Sequence, residues 1–126
     1  MSKLKSLLLL SVLFFAVSAA KAQTKNTDIE NFYIGTWKLM VSGLPNGDTE
    51  MYLIIEKKDG QLTGSIGGKN GEGANKLTKA SIDKETFNAN FIGGGYNVPL
   101  YIDKKGDNKV EGSMNDMFEI TGTKEK

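Results

Sequence analysis

The sequence predicts an all-β fold: an eight-stranded antiparallel up-and-down meander closed into a small barrel, with a short helical turn before it. Asn-Gly and Asp-Gly pairs supply the positive φ angles that tight hairpins need. Such turn signals recur at short, even intervals: Asn46-Gly47, Asp59-Gly60, Asn70-Gly71, Gly93-Gly94-Gly95 and Gly106-Asp107-Asn108. Between them apolar and polar residues alternate, and after residue 34 no helical apolar period persists.

The chain opens with the three parts of a secretory signal peptide, residues 1–22. Two lysines precede an apolar run over residues 7–17, and small residues lead to Ala20-Lys21-Ala22. The run is shorter than the ~18 residues that a membrane-spanning helix needs, and no Cys follows it to carry a lipid. We expect cleavage before Gln23, with the Ala20–Lys21 bond as the alternative, and a periplasmic or extracellular domain without a stable membrane anchor.

Ahead of the barrel, Thr27-Asp28-Ile29-Glu30 matches a capping box, with Thr at the cap and Glu three residues later. A single helical turn through Phe32-Tyr33-Ile34 is placed to plug one end of the barrel. Residues 23–26 are expected to form a loose tail.

Eight strands are predicted from the alternation. They cover residues 35–42, 49–57, 61–67, 75–83, 85–92, 96–103, 108–114 and 117–124. One apolar face per strand, consecutive hairpins and no long crossover indicate an antiparallel meander. The second strand is apolar on both faces, which leaves its register open. The fourth changes phase between Leu77 and the Ala80/Ile82 pair, which predicts a β-bulge.

A weak repeat of apolar, polar, Gly and hydroxyl residues supports closure. It occurs at Leu62-Thr63-Gly64-Ser65, Val110-Glu111-Gly112-Ser113 and Ile120-Thr121-Gly122-Thr123. Inward glycines in a small barrel let coiled strands bend and leave room for large neighbours. The alternative is that glycine-rich turns extend into the strands. Closing the sheet also removes the two exposed edges that a flat meander would keep.

The composition excludes several chemistries. The chain has no His and no Cys, so His-based triads, thiol nucleophiles, disulfides and the usual zinc sites are absent. It has no Arg and a net charge of +1, which becomes slightly negative once the signal peptide is removed. We therefore predict no nucleic-acid partner, no metal and no cofactor.

The segment Gly35-Thr36-Trp37, which opens the meander, resembles the calycin superfamily of lipocalins, fatty-acid-binding proteins and avidins. The hairpin segment over residues 59–65 is similar to the second hairpin of avidin-like barrels. The resemblance covers most of residues 28–124 and implies a barrel that holds an apolar guest. The Ala-Gln junction and the all-Lys basic set resemble exported proteins of the Bacteroidetes type.

Two departures from these families limit what the resemblance implies. Avidins line their biotin pocket with several Trp residues, whereas Trp37 is the only one here, so biotin binding does not transfer. Lipocalins commonly place an Arg from the last strand over the Gly-x-Trp indole. In this chain only Lys124 is positioned to take that place.

Catalysis is not predicted. The acids fall mostly in turns or on the solvent side of strands, whereas a carboxylate pair needs burial or close neighbours for acid–base work. The glycine-rich segment over residues 67–73 precedes a strand rather than a helix, which favours a hairpin loop over a phosphate-binding loop. The spacing of Asp103, Asp107 and Asn108 does not fit an EF-hand loop.

The favoured function is a monomeric carrier of a small apolar or aromatic ligand. The predicted lining combines apolar walls with small residues that remove inward volume: Trp37, Leu39, Gly64, Phe87, Ala89, Phe91, Tyr96, Gly112, Phe118 and Gly122. Tyr96 is predicted as a polar handle at the mouth. An eight-stranded barrel either fills with side chains or holds one small ligand, so a filled interior remains the competing hypothesis.

A second hypothesis is a protein-interaction module. Some exported bacterial barrels of this size are metalloprotease inhibitors that insert a flexible N-terminal segment into the enzyme's cleft. Residues 23–31 would be that segment here. The resemblance to those inhibitors is one of fold.

Overall fold

The computed structural model describes residues 27–126. The predicted signal peptide and the predicted tail, residues 23–26, lie outside the described residues. Residues 27–33 are helical, so Thr27 lies within the helix and not at the cap that the sequence predicts. The barrel belongs to the unit Tyr33–Lys126.

The eight predicted strands are confirmed. They are β1 Gly35–Ser42, β2 Thr49–Lys58, β3 Gln61–Gly67, β4 Asn75–Asp83, β5 Thr86–Gly93, β6 Tyr96–Gly106, β7 Lys109–Met114 and β8 Phe118–Lys124. A short 3₁₀ turn, η1 Lys69–Gly71, lies between β3 and β4. The largest difference from the prediction is β6, which continues to Gly106 beyond the predicted end at 103.

The strands pair in chain order and the sheet closes on itself. β1 and β8 are antiparallel neighbours, with Trp37 opposite Lys124 and Val41 opposite Ile120. The closure predicted from the meander and the edge argument is therefore confirmed. Closure leaves neither the first nor the last strand as an open edge.

Alternation divides the strands into an inward and an outward face. Trp37, Leu39 and Val41 of β1 are fully buried, whereas Lys38 and Met40 between them are exposed. The undecided register of β2 is settled by the structure. Its inward residues include Leu53 and Ile55, which are both 0% exposed, while Tyr52 and Ile54 on the other face are half-buried.

Two irregularities interrupt the ladders. The predicted bulge in β4 is confirmed, because the pairing with β5 shifts between Leu77 and Lys79. A second shift, between Lys104 and Gly106 of β6, was not predicted. β3 and β4 pair at Ser65–Lys76 and Ile66–Asn75 near one end. Over most of its length β4 therefore has β5 as its paired strand.

Two of the repeated glycines lie where the backbone of the neighbouring strand leaves no room for a side chain. A Cβ on Gly64 would overlap the carbonyl oxygen of Ile54, and one on Gly112 would overlap that of Tyr101. The neighbouring backbone therefore occupies the volume that these glycines were expected to leave free. They let adjacent strands approach closely where the barrel coils.

Candidate functional site

One end of the barrel, where β1 begins and β8 ends, is closed by Tyr33. This side chain is 0% exposed. Its hydroxyl donates to the carbonyl oxygen of Glu85 at 2.6 Å and lies 3.2 Å from that of Ile102. Burial, together with the nearby Asp103 carboxylate, raises the pKa of Tyr33 to about 12. The expectation that the turn over residues 32–34 plugs one end is met by Tyr33, whose hydroxyl joins β6 to the β4–β5 turn.

Trp37 completes this closed end. Its indole Nε1 donates to the carbonyl oxygen of Tyr33 at 2.8 Å, and Lys124 Nζ lies 5.5 Å from the centroid of its rings. Gly35 has φ +139° and a Cβ there would lie 2.7 Å from Lys124 Cε. The Gly-x-Trp segment therefore leaves a path for the lysine stem. Burial lowers the pKa of Lys124.

The opposite end is bounded by the β1–β2, β3–β4, β5–β6 and β7–β8 hairpins. Every strand places an inward-facing apolar residue near that end. This set, called here the apolar ring, consists of Val41, Met51, Ile66, Leu77, Phe91, Val98, Met114 and Phe118. Most of the ring is buried, whereas Met51, Val98 and Phe118 are half-buried. The ring therefore retains partly hydrated apolar surface at this end.

The hairpin tips above the ring add exposed apolar side chains. Tyr96 is 77% exposed and Met117 is 71% exposed. Gly94 and Gly95 between β5 and β6 have φ angles of +59° and +84°, which a two-residue turn of this kind requires. The backbone N–H of Asn115 donates to the carbonyl oxygen of Pro99 at 2.7 Å, which ties the β7–β8 turn to β6.

Most of the predicted lining residues lie where the alternation places them. Trp37, Leu39, Phe87, Ala89 and Phe91 are inward and buried, each exposed by 6% or less. Phe118 is inward and half-buried. These positions agree with the predicted lining, while ligand binding by them stays a prediction.

The prediction that Tyr96 lines the interior is wrong. It is the first residue of β6, directly after Gly95, and its alternation phase matches that of Leu100 and Ile102. At the tip of the hairpin no neighbouring strand covers the inward side of β6, so the Tyr96 side chain is 77% exposed. For Tyr96, its position at the end of the strand determines its exposure, and the alternation of apolar residues does not.

The interior beside Gly122 is filled by neighbouring side chains. A Cβ on Gly122 would lie 2.6 Å from Leu39 Cδ2 and 2.9 Å from Val110 Cγ2. The inward volume that this glycine leaves is therefore taken by its neighbours. Among the described residues, Tyr33 and Trp37 are the buried residues whose side chains carry a polar atom. No buried side-chain N or O atom of the described residues lacks a hydrogen-bond partner. Around Gly122 the interior is therefore filled by side chains, as the hypothesis that competes with a ligand cavity predicts.

The acidic residues in the described part of the chain are mostly exposed. Asp103 is half-buried and accepts a hydrogen bond from the Thr86 hydroxyl. No group of three or more acidic, His or Cys side chains within residues 27–126 is arranged to hold a metal ion. No helix among the described residues is long and apolar enough to cross a membrane.

The glycine-rich segment over residues 67–73 forms a hairpin connection, as predicted. The backbone N–H of Gly68 donates to the carbonyl oxygen of Glu72 at 2.7 Å, and Gly71 N–H donates to that of Gly68. These donors are used within the loop. The predicted inhibitor segment lies partly outside the described residues, and its described part, residues 27–31, is helical.

Sequence reasoning missed six members of the apolar ring, which were not among the predicted lining residues: Val41, Met51, Ile66, Leu77, Val98 and Met114. Each is an apolar residue in the inward phase close to a hairpin, either just before it or just after it. Counting inward positions back from each turn signal would have found them.

Three grooves lined by described residues lie on the outer face of the barrel. The largest has a volume of about 320 Å³ and runs over β1, β8 and β7. The other two, of about 290 and 200 Å³, lie over β4–β5 and over β5–β7 and share Asn88, Ala89 and Asn90.

Comparison with known proteins supports the fold and no more. No family model matches this sequence, and no curated protein matches it. Among solved structures, a redesigned β-barrel is similar, with a TM-score of 0.53 and 13% sequence identity over 78% of this chain and 95% of that chain. At that identity the likeness shows an eight-stranded antiparallel β-barrel and does not identify a calycin family.

Proposed function

We propose that this is an exported, calycin-like, non-catalytic binding protein that holds a small apolar or aromatic ligand at the open end of its barrel. The apolar ring carries this proposal. All eight strands contribute an apolar side chain to it, and Met51, Val98 and Phe118 remain half-buried. Covering partly hydrated apolar surface is favourable by about 25 cal/mol per Å², and small-ligand sites are lined mainly by apolar side chains with a few polar groups that fix the orientation.

The packing limits how deep a ligand goes. The interior around Gly122 is occupied by Leu39 and Val110, and Trp37 and Tyr33 fill the closed end. A ligand therefore stays above Phe91 and Leu100, which suits a single ring system or a short alkyl chain. Its polar group would remain at the mouth near the hydroxyl of Tyr96.

A hydrophobic fluorescent probe tests this site on the full chain. We expect anilinonaphthalene sulfonate to bind saturably to the folded protein. Val98→Trp places a bulky side chain in the ring and should abolish the signal. Tyr101→Trp is the matched control, because Tyr101 faces outward and is 38% exposed; it should leave the probe affinity unchanged.

The outcomes separate cleanly. Absence of saturable probe uptake by the unmodified protein would overturn the proposal. Equal loss of binding in both variants would place the probe elsewhere on the surface. An aliphatic or aromatic competitor that displaces the probe would then identify the ligand class. Export has its own test: N-terminal sequencing of the secreted protein should begin at Gln23.

A further inference from the structure

The outer groove over β1, β8 and β7, called here the trough, has short side chains along its middle strand and longer ones on the two flanking strands. β8 contributes the short side chains of Thr121 and Thr123 to its centre line. Lys38 and Met40 of β1 flank them on one side, and Lys109 and Glu111 of β7 flank them on the other. The depth of the trough thus follows from side-chain length across three neighbouring strands.

The register concentrates positive charge at one end of this trough. Lys38 and Lys109 both lie directly opposite Thr123, one on each side. Side chains opposite each other on paired strands have Cβ atoms ~4.5–5.5 Å apart. The side chains of Lys38 and Lys109 therefore leave their strands on either side of Thr123.

The unpredicted bulge in β6 adds a third lysine. Pairing shifts between Lys104 and Gly106, so Gly106 rather than Lys105 stands opposite Lys109. Bulges re-aim side chains, and Lys105 lines the trough. Three lysines and Thr123 thus line this end of the trough, and Glu111 is the one carboxylate among its lining residues.

We propose that this trough binds a small oxyanion-bearing molecule, with a phosphate or carboxylate group at the row formed by Lys38, Thr123, Lys109 and Lys105. Lysines bind phosphate as point charges, and charged hydrogen bonds are about twice as strong as neutral ones. The volume of about 320 Å³ suits a small molecule, since ligand clefts span ~300–1,000 Å³. Lys38 Nζ also lies 3.5 Å from a carboxylate oxygen of Glu50, which competes with the ligand for this lysine.

The site is independent of the apolar ring and is tested separately. Amide NMR spectra of the full chain are recorded during titration with pyrophosphate and, in parallel, citrate at constant ionic strength. We expect saturable shifts over residues 109–111 and 121–123 with at least one of the two anions, and the anion that saturates at the lower concentration distinguishes phosphate from carboxylate recognition.

Variants with matched charge changes make the test decisive. Lys38→Gln combined with Lys109→Gln should weaken binding about tenfold, as expected for the loss of two charge-assisted contacts. Lys76→Gln combined with Lys79→Gln removes the same charge from exposed positions of β4 and should change the affinity less than about twofold. Glu50→Gln should tighten binding. Shifts that never saturate, or equal weakening by both lysine pairs, would overturn the proposal and leave only general attraction of anions.

Discussion

The two ends of the barrel are built from the same kinds of side chain, but they differ in how polar atoms are held. At the closed end Tyr33 and Trp37 are both 0% exposed, and each donates a hydrogen bond to a backbone carbonyl. At the open end the apolar ring has no such buried donor, and Phe118 and Val98 are half-buried. The closed end therefore satisfies its buried polar atoms within the protein, while the opposite end keeps partly exposed apolar surface.

The largest expected effect is at Trp37. Trp37→Ala removes a fully buried indole together with its hydrogen bond to Tyr33, and we expect a loss of about 3–5 kcal/mol in the free energy of unfolding. Phe118→Ala at the open end should cost about 1–2 kcal/mol, because only part of its ring is removed from water. Urea unfolding followed by circular dichroism measures both. Equal losses would contradict the division into a closed and an open end.

Tyr33 gives the next largest effect. Tyr33→Phe removes the hydroxyl that the part-buried carbonyl oxygen of Glu85 and the buried one of Ile102 accept from, so we expect a loss of about 1–3 kcal/mol. Tyr96→Phe is the control, because Tyr96 is 77% exposed, and it should change the stability by less than about 0.5 kcal/mol.

The same tyrosine predicts a pH dependence. Folding raises the pKa of Tyr33 from 10.0 to about 12, chiefly through burial. The neutral hydroxyl therefore contributes its full stabilisation below pH 10, and the contribution is lost as pH rises through about 12. The stability difference between the unmodified chain and Tyr33→Phe should shrink over that window. A constant difference across it would show that Tyr33 ionises as readily in the folded as in the unfolded chain.

Much of this barrel could be predicted because strand signals are local. Alternation placed Trp37, Phe87 and Ala89 inward, and the phase change after Leu77 located the bulge in β4. The reason for the glycine repeat was only partly predictable. The Cβ overlap at Gly112 involves the carbonyl oxygen of Tyr101 on the neighbouring strand, a distance that depends on coiling and not on sequence spacing.

The failures have the same origin. Alternation assigns a side chain to a face but does not say where the wall of the barrel ends, and so Tyr96 was placed inside. The bulge at Lys104–Gly106 carries no phase change in its apolar residues, because the bulged segment is polar. The trough on the outer face depends on that bulge and on the cross-strand register, both of which are properties of the closed sheet.

The smallest expected change in the free energy of unfolding is at the exposed hairpin tips of the open end. Tyr96→Ser combined with Met117→Ser changes two side chains that are 77% and 71% exposed, so the free energy of unfolding should move by less than about 0.5 kcal/mol. If the open end binds an apolar ligand, the same double variant should weaken probe binding several-fold, because the hairpin tips above the apolar ring lose their apolar cover. Lys84→Ser, in the β4–β5 turn at the opposite end, is the control and should alter neither quantity. Fluorescence titration and urea unfolding on the same samples give both numbers, and unchanged probe affinity in the double variant would restrict any ligand to the ring itself.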